Sequence, residues 1–134
     1  MIDDTTRGVI SVWMGTSTQS LDAFNRYTDG MESRGSGCPA HRDLGCDFID
    51  SDFFAAWRTA GNEVIPVERL VKEVGVNAIE TERAILARCH ALGVTEGNAL
   101  YYYDHCSFRE DTPGRLYNEL RFIGSFADPR RRIG

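Results

Sequence analysis

The sequence predicts a single α+β domain in which helices pack on one face of a small, mainly antiparallel sheet. Three observations carry that expectation. The run Gly8-Val9-Ile10-Ser11-Val12-Trp13-Met14-Gly15 is apolar at its even positions and at Val9 and Trp13, which marks a central strand covered on both faces. A capped amphipathic stretch over 78–92 reads as a helix. The last third, from Ala99 to Phe126, is aromatic and alternating, as strands are.

After the opening strand, the polar connector Thr16-Ser17-Thr18-Gln19-Ser20 ends in a good N-cap residue. Leu21, Phe24, Tyr27 and Met31 then recur at helical spacing, predicting a helix over 21–32 with Asp22 in its first turn. Ser33-Arg34-Gly35-Ser36-Gly37 is a flexible loop. Pro39 starts one or two helical turns that end at Gly45. Phe53, Ala55 and Trp57 alternate as in a strand, and Thr59 to Glu63 is a turn. Pro66 opens a short helix with Val67, Leu70, Val71 and Val74 inside and Gly75 at its end. For the long helix, Asn77 is the expected N-cap and Glu80 its capping-box partner. Ile79, Ile85, Leu86, Cys89 and Leu92 form its apolar face, Arg88 and His90 sit near its C-terminal end, and Gly93 closes it.

In the β-rich third, Ala99 to Tyr103 and Leu116 to Phe126 are expected to pair as a hairpin. Leu116, Asn118, Leu120 and Phe122 share one face, with Tyr117, Glu119, Arg121 and Ile123 on the other. Gly124 and Ser125 interrupt the pattern as a bulge would. The core then spans 9–126, and residues 127–134 form a flexible tail ending in Arg130-Arg131-Arg132-Ile133-Gly134.

The chain has 134 residues, enough for one self-supporting core, and a net charge of −5. All of that surplus lies in residues 1–64, which hold ten acids and five arginines, whereas residues 65–134 are balanced at ten and ten. Such a distribution argues against nucleic acid as ligand and suits a basic partner or a solvated acidic face. No run is long enough for a membrane span, and Met1-Ile2-Asp3-Asp4 is acidic where an export signal is basic, so a cytosolic location is expected. Cys38, Cys46, Cys89 and Cys106 are then free thiols. Their spacing relative to His41, His90 and His105 lacks a zinc register, and neither a metal nor a cofactor is expected.

The densest polar cluster is Asp43, Asp47, Asp50 and Asp52, which interleaves with Phe48, Phe53, Phe54 and Trp57. A calcium loop requires a different spacing. Turn and cap aspartates, a partner-binding loop, and a catalytic or metal pair remain open for these residues. No nucleophile elbow, dinucleotide fingerprint or phosphate-binding P-loop is present, and no enzymatic activity is expected. Gly15-Thr16-Ser17-Thr18 has backbone N–H groups that suit an anion.

Four stretches occur in a specific order: Ile10-Ser11-Val12-Trp13-Met14-Gly15, a helix ending near Tyr27, Asp43-Leu44-Gly45-Cys46-Asp47-Phe48-Ile49-Asp50-Ser51-Asp52-Phe53, and Leu120-Arg121-Phe122-Ile123-Gly124-Ser125-Phe126. In that order and spacing the chain resembles the immunity protein 22 family of bacterial polymorphic toxin systems over about 9–126. The resemblance implies a cytosolic α+β antidote that neutralises a cognate protein toxin, such as a nuclease domain, by tight binding. Trp13, Gly15, Gly124 and Ser125 match as architectural residues, and Asp43, Asp47, Asp50 and Asp52 are where toxin contact is expected. The glycine-rich 33–37 segment and the arginine tail depart from the pattern. Two other functions compete: a small enzyme pairing His41 or His105 with an aspartate, and a homo-oligomeric module burying Trp57, Tyr101 or Tyr103.

Overall fold

The computed structural model describes residues 1–129. The opening apolar run becomes strand β2 (Val9–Gly15), with every position from Ile10 to Met14 buried. It is the middle strand of a five-stranded antiparallel sheet. On one side it pairs with β6 (Ala99–Asp104), which pairs in turn with the edge strand β3 (Phe54–Arg58). On the other it pairs with β9 (Leu120–Ala127), whose outer neighbour is β8 (Leu116–Tyr117). Two short ribbons flank this sheet, β1 (Ile2–Asp3) with β7 (Ser107–Phe108) and β4 (Ile65–Pro66) with β5 (Glu96–Gly97).

The α+β class holds, but helices cover both faces of the sheet rather than one. Trp13 points to a core that contains Phe24 of helix α1 (Leu21–Asn25) and Ala40 and Leu44 of α2 (Pro39–Leu44). Ile10, Val12 and Met14 point the other way, onto Leu70 of α3 (Val67–Leu70) and Ile85 and Cys89 of α4 (Ile79–Ala91). A strand that is apolar in both phases needs a cover on each side. The same pattern that marks β2 as central therefore demands two helical layers.

Several local expectations hold. Ser20 caps α1 by accepting from the Ala23 N–H at 3.2 Å, Pro39 opens α2, and Gly45 and Gly75 close their helices at φ 71° and 65°. The bulge also occurs: the β2–β9 register slips between Val12 and Trp13, opposite Gly124 and Phe122. Others are corrected. The first helix stops at Asn25 and continues only as the 3₁₀ turn Arg26–Thr28, because Asn25, Thr28, Asp29 and Gly30 are poor helix formers. Pro66 is the N-cap of α3 rather than its first residue.

The long helix starts at Ile79 after Ala78, with no side-chain cap, so the Asn77–Glu80 capping box does not form. The Asn77 N–H instead donates to the Asp128 carboxylate at 2.9 Å, and Thr81 is buried where Ile79 was expected. Nor do the aromatic strands form one hairpin, since β2 lies between β6 and β9. The run from Leu116 itself folds over a tight turn at Asn118 and Glu119, both at positive φ, which sets Tyr117 opposite Leu120. That turn reverses the expected faces: Tyr117 is buried with Leu120, and Leu116 is exposed. Asp128, expected in the tail, is only 5% exposed, and residues 130–134 of that expected tail lie outside the described residues.

Candidate functional site

Antiparallel pairing brings the start of β2, the start of β3, the end of β6 and the end of β9 to one end of the sheet. Backbone hydrogen bonds join the loops there: Cys106 N–H to Val9 C=O at 3.1 Å, Asp104 N–H to Phe53 C=O at 2.9 Å, and Asp128 N–H to Gly8 C=O at 2.7 Å. These loops carry Asp3, Asp4, Asp50, Asp52, Asp104 and Asp128 against Arg7 and His105. Carboxylates from both halves of the sequence, Asp3, Asp4, Asp50 and Asp52 from the first and Asp104 and Asp128 from the second, thus meet at one end of the fold.

A concavity of about 830 Å³ opens at this end, lined by Asp4, Thr5, Arg7, Gly8, Phe53 and His105. Its walls are fixed by local turn chemistry. The Asp3 carboxylate accepts from the Thr5 hydroxyl at 2.6 Å and the Thr5 N–H at 3.0 Å, and these bonds hold its pKa below the usual value. Leading into the lining residue Phe53, Asp50 Oδ1 accepts from the Asp52 N–H at 2.9 Å, while the Asp50 carbonyl accepts from the Phe53 and Phe54 N–H groups. That turn leaves Phe53 40% exposed, with its ring edge-on to the His105 imidazole at 5.3 Å. His105 itself has a φ of 55°, and its Nδ1 accepts from the Gly8 N–H at 3.4 Å.

The four sequence-predicted aspartates divide into two kinds. Asp43 is held by the Tyr27 hydroxyl at 2.7 Å and by Arg115, and Asp47 pairs with Arg34 at 3.3 Å on the surface. Burial first, and the hydrogen bond to Asp43 second, push the Tyr27 phenol well above its usual pKa. Asp50 and Asp52 make no ion pair among the described residues and flank the exposed Phe53. Asp3, Asp4 and Arg7 were not singled out in the sequence, and His105 was weighed there only for zinc and as the histidine of a small enzyme. The Asp3-Asp4-Thr5 order is a legible Asx-turn signal, but nothing local links it to residues fifty and a hundred positions away.

Trp13, Gly15, Gly124 and Ser125, the four motif residues of the resemblance, all lie on β2 and β9. Trp13 is buried among Phe108 at 5.5 Å, Phe122 at 5.3 Å and Tyr117 at 6.4 Å. Ser125 shares a 2.8 Å hydrogen bond with Ser11 and accepts from the Phe108 N–H at 3.0 Å, tying β9, β2 and β7 together. Gly15 accepts from the Asn98 N–H at 2.9 Å through its carbonyl, and Gly97 packs directly on that carbonyl. At Gly124, φ is 155° and an added Cβ would stand 3.0 Å from the Phe126 ring.

The anion-suited loop after β2 is indeed occupied, by the protein's own carboxylate. Glu119 accepts from the Thr18 hydroxyl at 2.8 Å, the Thr18 N–H at 3.2 Å and the Ser17 hydroxyl at 3.1 Å, while the Ser17 N–H is taken by Asn98 at 2.7 Å. Desolvation raises the Glu119 pKa, but the combined hydrogen bonds from Thr18, Ser17 and Gln19 outweigh it and leave the group below its usual value. This end of the sheet is a closed polar joint, unlike the open acidic end.

Both ring nitrogens of His41 are engaged inside the protein, with the Met31 carbonyl at 2.7 Å and the Ser36 hydroxyl at 3.4 Å. His90 faces Glu68 at 3.5 Å on the surface of α4. Tyr101 and Tyr103 are interior residues, so only Trp57 of the expected oligomer contacts is within reach of a neighbour. All four cysteines are free, and burial pushes the Cys89 and Cys106 thiols up to about 12. Among the described residues, no three His, Cys, Asp or Glu side chains are placed to hold a metal ion, and no helix is long and apolar enough to cross a membrane. The chain matches no protein-family model, no curated protein and no solved structure.

Proposed function

We propose that the protein is a cytoplasmic immunity protein that neutralises a cognate toxin of a bacterial polymorphic toxin system by binding it, and that the acidic end of the sheet is its docking surface. The observation that carries this reading is the exposed Phe53, set between Asp52 and the Asp4-lined concavity. An aromatic side chain next to Asp52 and sharing a concavity with Asp4 suits a basic protein face. The ring supplies buried area and a surface for a lysine or arginine, while the carboxylates steer encounter and reject acidic partners. A nuclease domain, whose substrate-binding cleft must be basic, is the kind of toxin this surface fits. The order of the strand, acidic and β9 motifs supports the same assignment.

In this reading the aspartates that take part are those without an ion pair among the described residues. Asp50 and Asp52 make the contact, with Asp4 across the concavity, whereas Asp43 and Asp47 are committed to Arg115 and Arg34. Co-expression with the gene encoded next to this one tests the proposal. Growth rescue together with co-purification of the two proteins is expected. A neighbour that is harmless alone, or toxicity that persists despite good expression of this protein, contradicts the antidote function.

A further inference from the structure

Asp128 is anchored at the lip of the acidic concavity. Its N–H donates to the carbonyl of Gly8, a lining residue, at 2.7 Å, and its carboxylate accepts from the Asn77 N–H at 2.9 Å. The Thr81 hydroxyl donates to the preceding Ala127 carbonyl at 2.9 Å, so the chain is pinned where it leaves β9. From there the sequence runs Pro129-Arg130-Arg131-Arg132-Ile133. At about 3.6 Å per extended residue, the Cα atoms of Arg130 to Arg132 have a reach of about 7 to 14 Å from that of Asp128. Three guanidinium groups are thus tethered at the acidic end. Asp4, Asp50 and Asp52 make no ion pair there among the described residues, and Arg7 offsets only one of these three charges.

We infer that the acidic end takes Arg130-Arg131-Arg132 of its own chain as an internal basic ligand, which a toxin must displace. The inference rests on the docking surface proposed above and names a competitor for it. The exposed Phe53 ring suits a guanidinium from this segment as it suits one from a partner. Exposed ion pairs are individually weak, so as a free peptide the segment is expected to bind with a dissociation constant on the order of 1 mM. A tether of a few residues gives it an effective concentration of roughly several millimolar. The site is then occupied in cis more often than not, and the apparent affinity of any competing partner falls about three- to tenfold. Weakly basic proteins are turned away by that margin, whereas a toxin with a full interface displaces the arginines.

Amide correlation spectra of the parent and of Arg130→Ser/Arg131→Ser/Arg132→Ser test the inference without a toxin. The triple variant keeps Asp128 and its bonds, so its thermal midpoint is expected to match the parent's. Shift differences are expected at Gly8, Phe53 and His105, and they should vanish at about 1 M salt, where the screening length is about 3 Å. Adding the peptide Pro-Arg-Arg-Arg-Ile-Gly to the triple variant at about 1 mM should move those amides back toward the parent's positions. With the toxin, the triple variant is expected to bind about three- to tenfold tighter than the parent at physiological salt. Identical amide positions at Gly8, Phe53 and His105, or differences confined to other regions, overturn the inference. So does toxin binding that is equal or weaker in the triple variant. A toxin that binds neither protein, while the spectra differ as expected, contradicts the antidote function and leaves the internal contact standing.

Discussion

Single residues at the closed end of the sheet show how much local order depends on one carboxylate. Glu119 gathers the connector after β2 by accepting from Thr18 and Ser17, and it sits at a φ of 72° in the turn that precedes β9. Its folded pKa is depressed, so its contribution is present above the unfolded value near 4.5 and is lost as pH falls through the lower folded value. Glu119→Gln is therefore expected to lower stability by about 1–2 kcal/mol at pH 7. Denaturation at a series of pH values should show the gap to the parent narrowing below about pH 4. Gly97 makes a sharper case. A Cβ there would lie 2.4 Å from the Gly15 carbonyl oxygen, a backbone atom that cannot yield alone. Gly97→Ala should cost about 2–4 kcal/mol by urea denaturation, and a cost below about 0.5 kcal/mol would mean that the two strands are not so closely opposed.

At the scale of elements, sequence pattern decided type more often than partnership. The apolar phase of β2, the Ser20 cap, Pro39 and the glycine stops are legible because each acts within a few residues. The missed features depend on distant chain. The start of α4 is one: Asn77 and Glu80 satisfy a capping-box pattern, yet Asp128, fifty-one residues away, accepts the Asn77 N–H at 2.9 and 3.2 Å. Asp128→Ala should therefore destabilise the protein by about 1–3 kcal/mol, whereas Glu80→Gln should fall within about 0.5 kcal/mol of the parent. The reverse ranking, read from chemical denaturation of both variants, would restore the capping box. The β8–β9 turn is the other such case. Asn118 suits a left-handed position, but Glu119 beside it does not, and alternation across the pair looks like one uninterrupted strand. What secures the turn is tertiary: the Asn118 side chain donates to the Tyr101 hydroxyl at 2.6 Å and the Phe24 carbonyl at 3.1 Å.

For the whole molecule, the two ends of the sheet have become different devices. One end is sealed by Asn98, Glu119, Asn118 and Arg58, while the other collects acids around a concavity with an aromatic residue on its rim. The concentration of negative charge in the first half of the chain was legible from composition, but its focusing was not. Asp4 and Phe53 line one concavity, and the segments before β2 and β3 lie at the same end of the sheet because both strands pair antiparallel to β6. Asp43 and Asp47 pair with Arg115 and Arg34, whereas Asp50 and Asp52, proposed to dock the toxin, make no ion pair among the described residues, a division that sequence spacing within 43–52 does not reveal. In the proposed function Asp50 and Asp52 hold a basic partner. The most direct measurement is the affinity of the purified toxin for the parent, for Asp50→Lys/Asp52→Lys and for Asp47→Lys, by calorimetry at physiological salt. The first pair of substitutions is expected to weaken binding about a hundredfold or more with the thermal midpoint unchanged, and Asp47→Lys by less than about threefold. Equal affinity for the double variant and the parent would contradict docking at the acidic end.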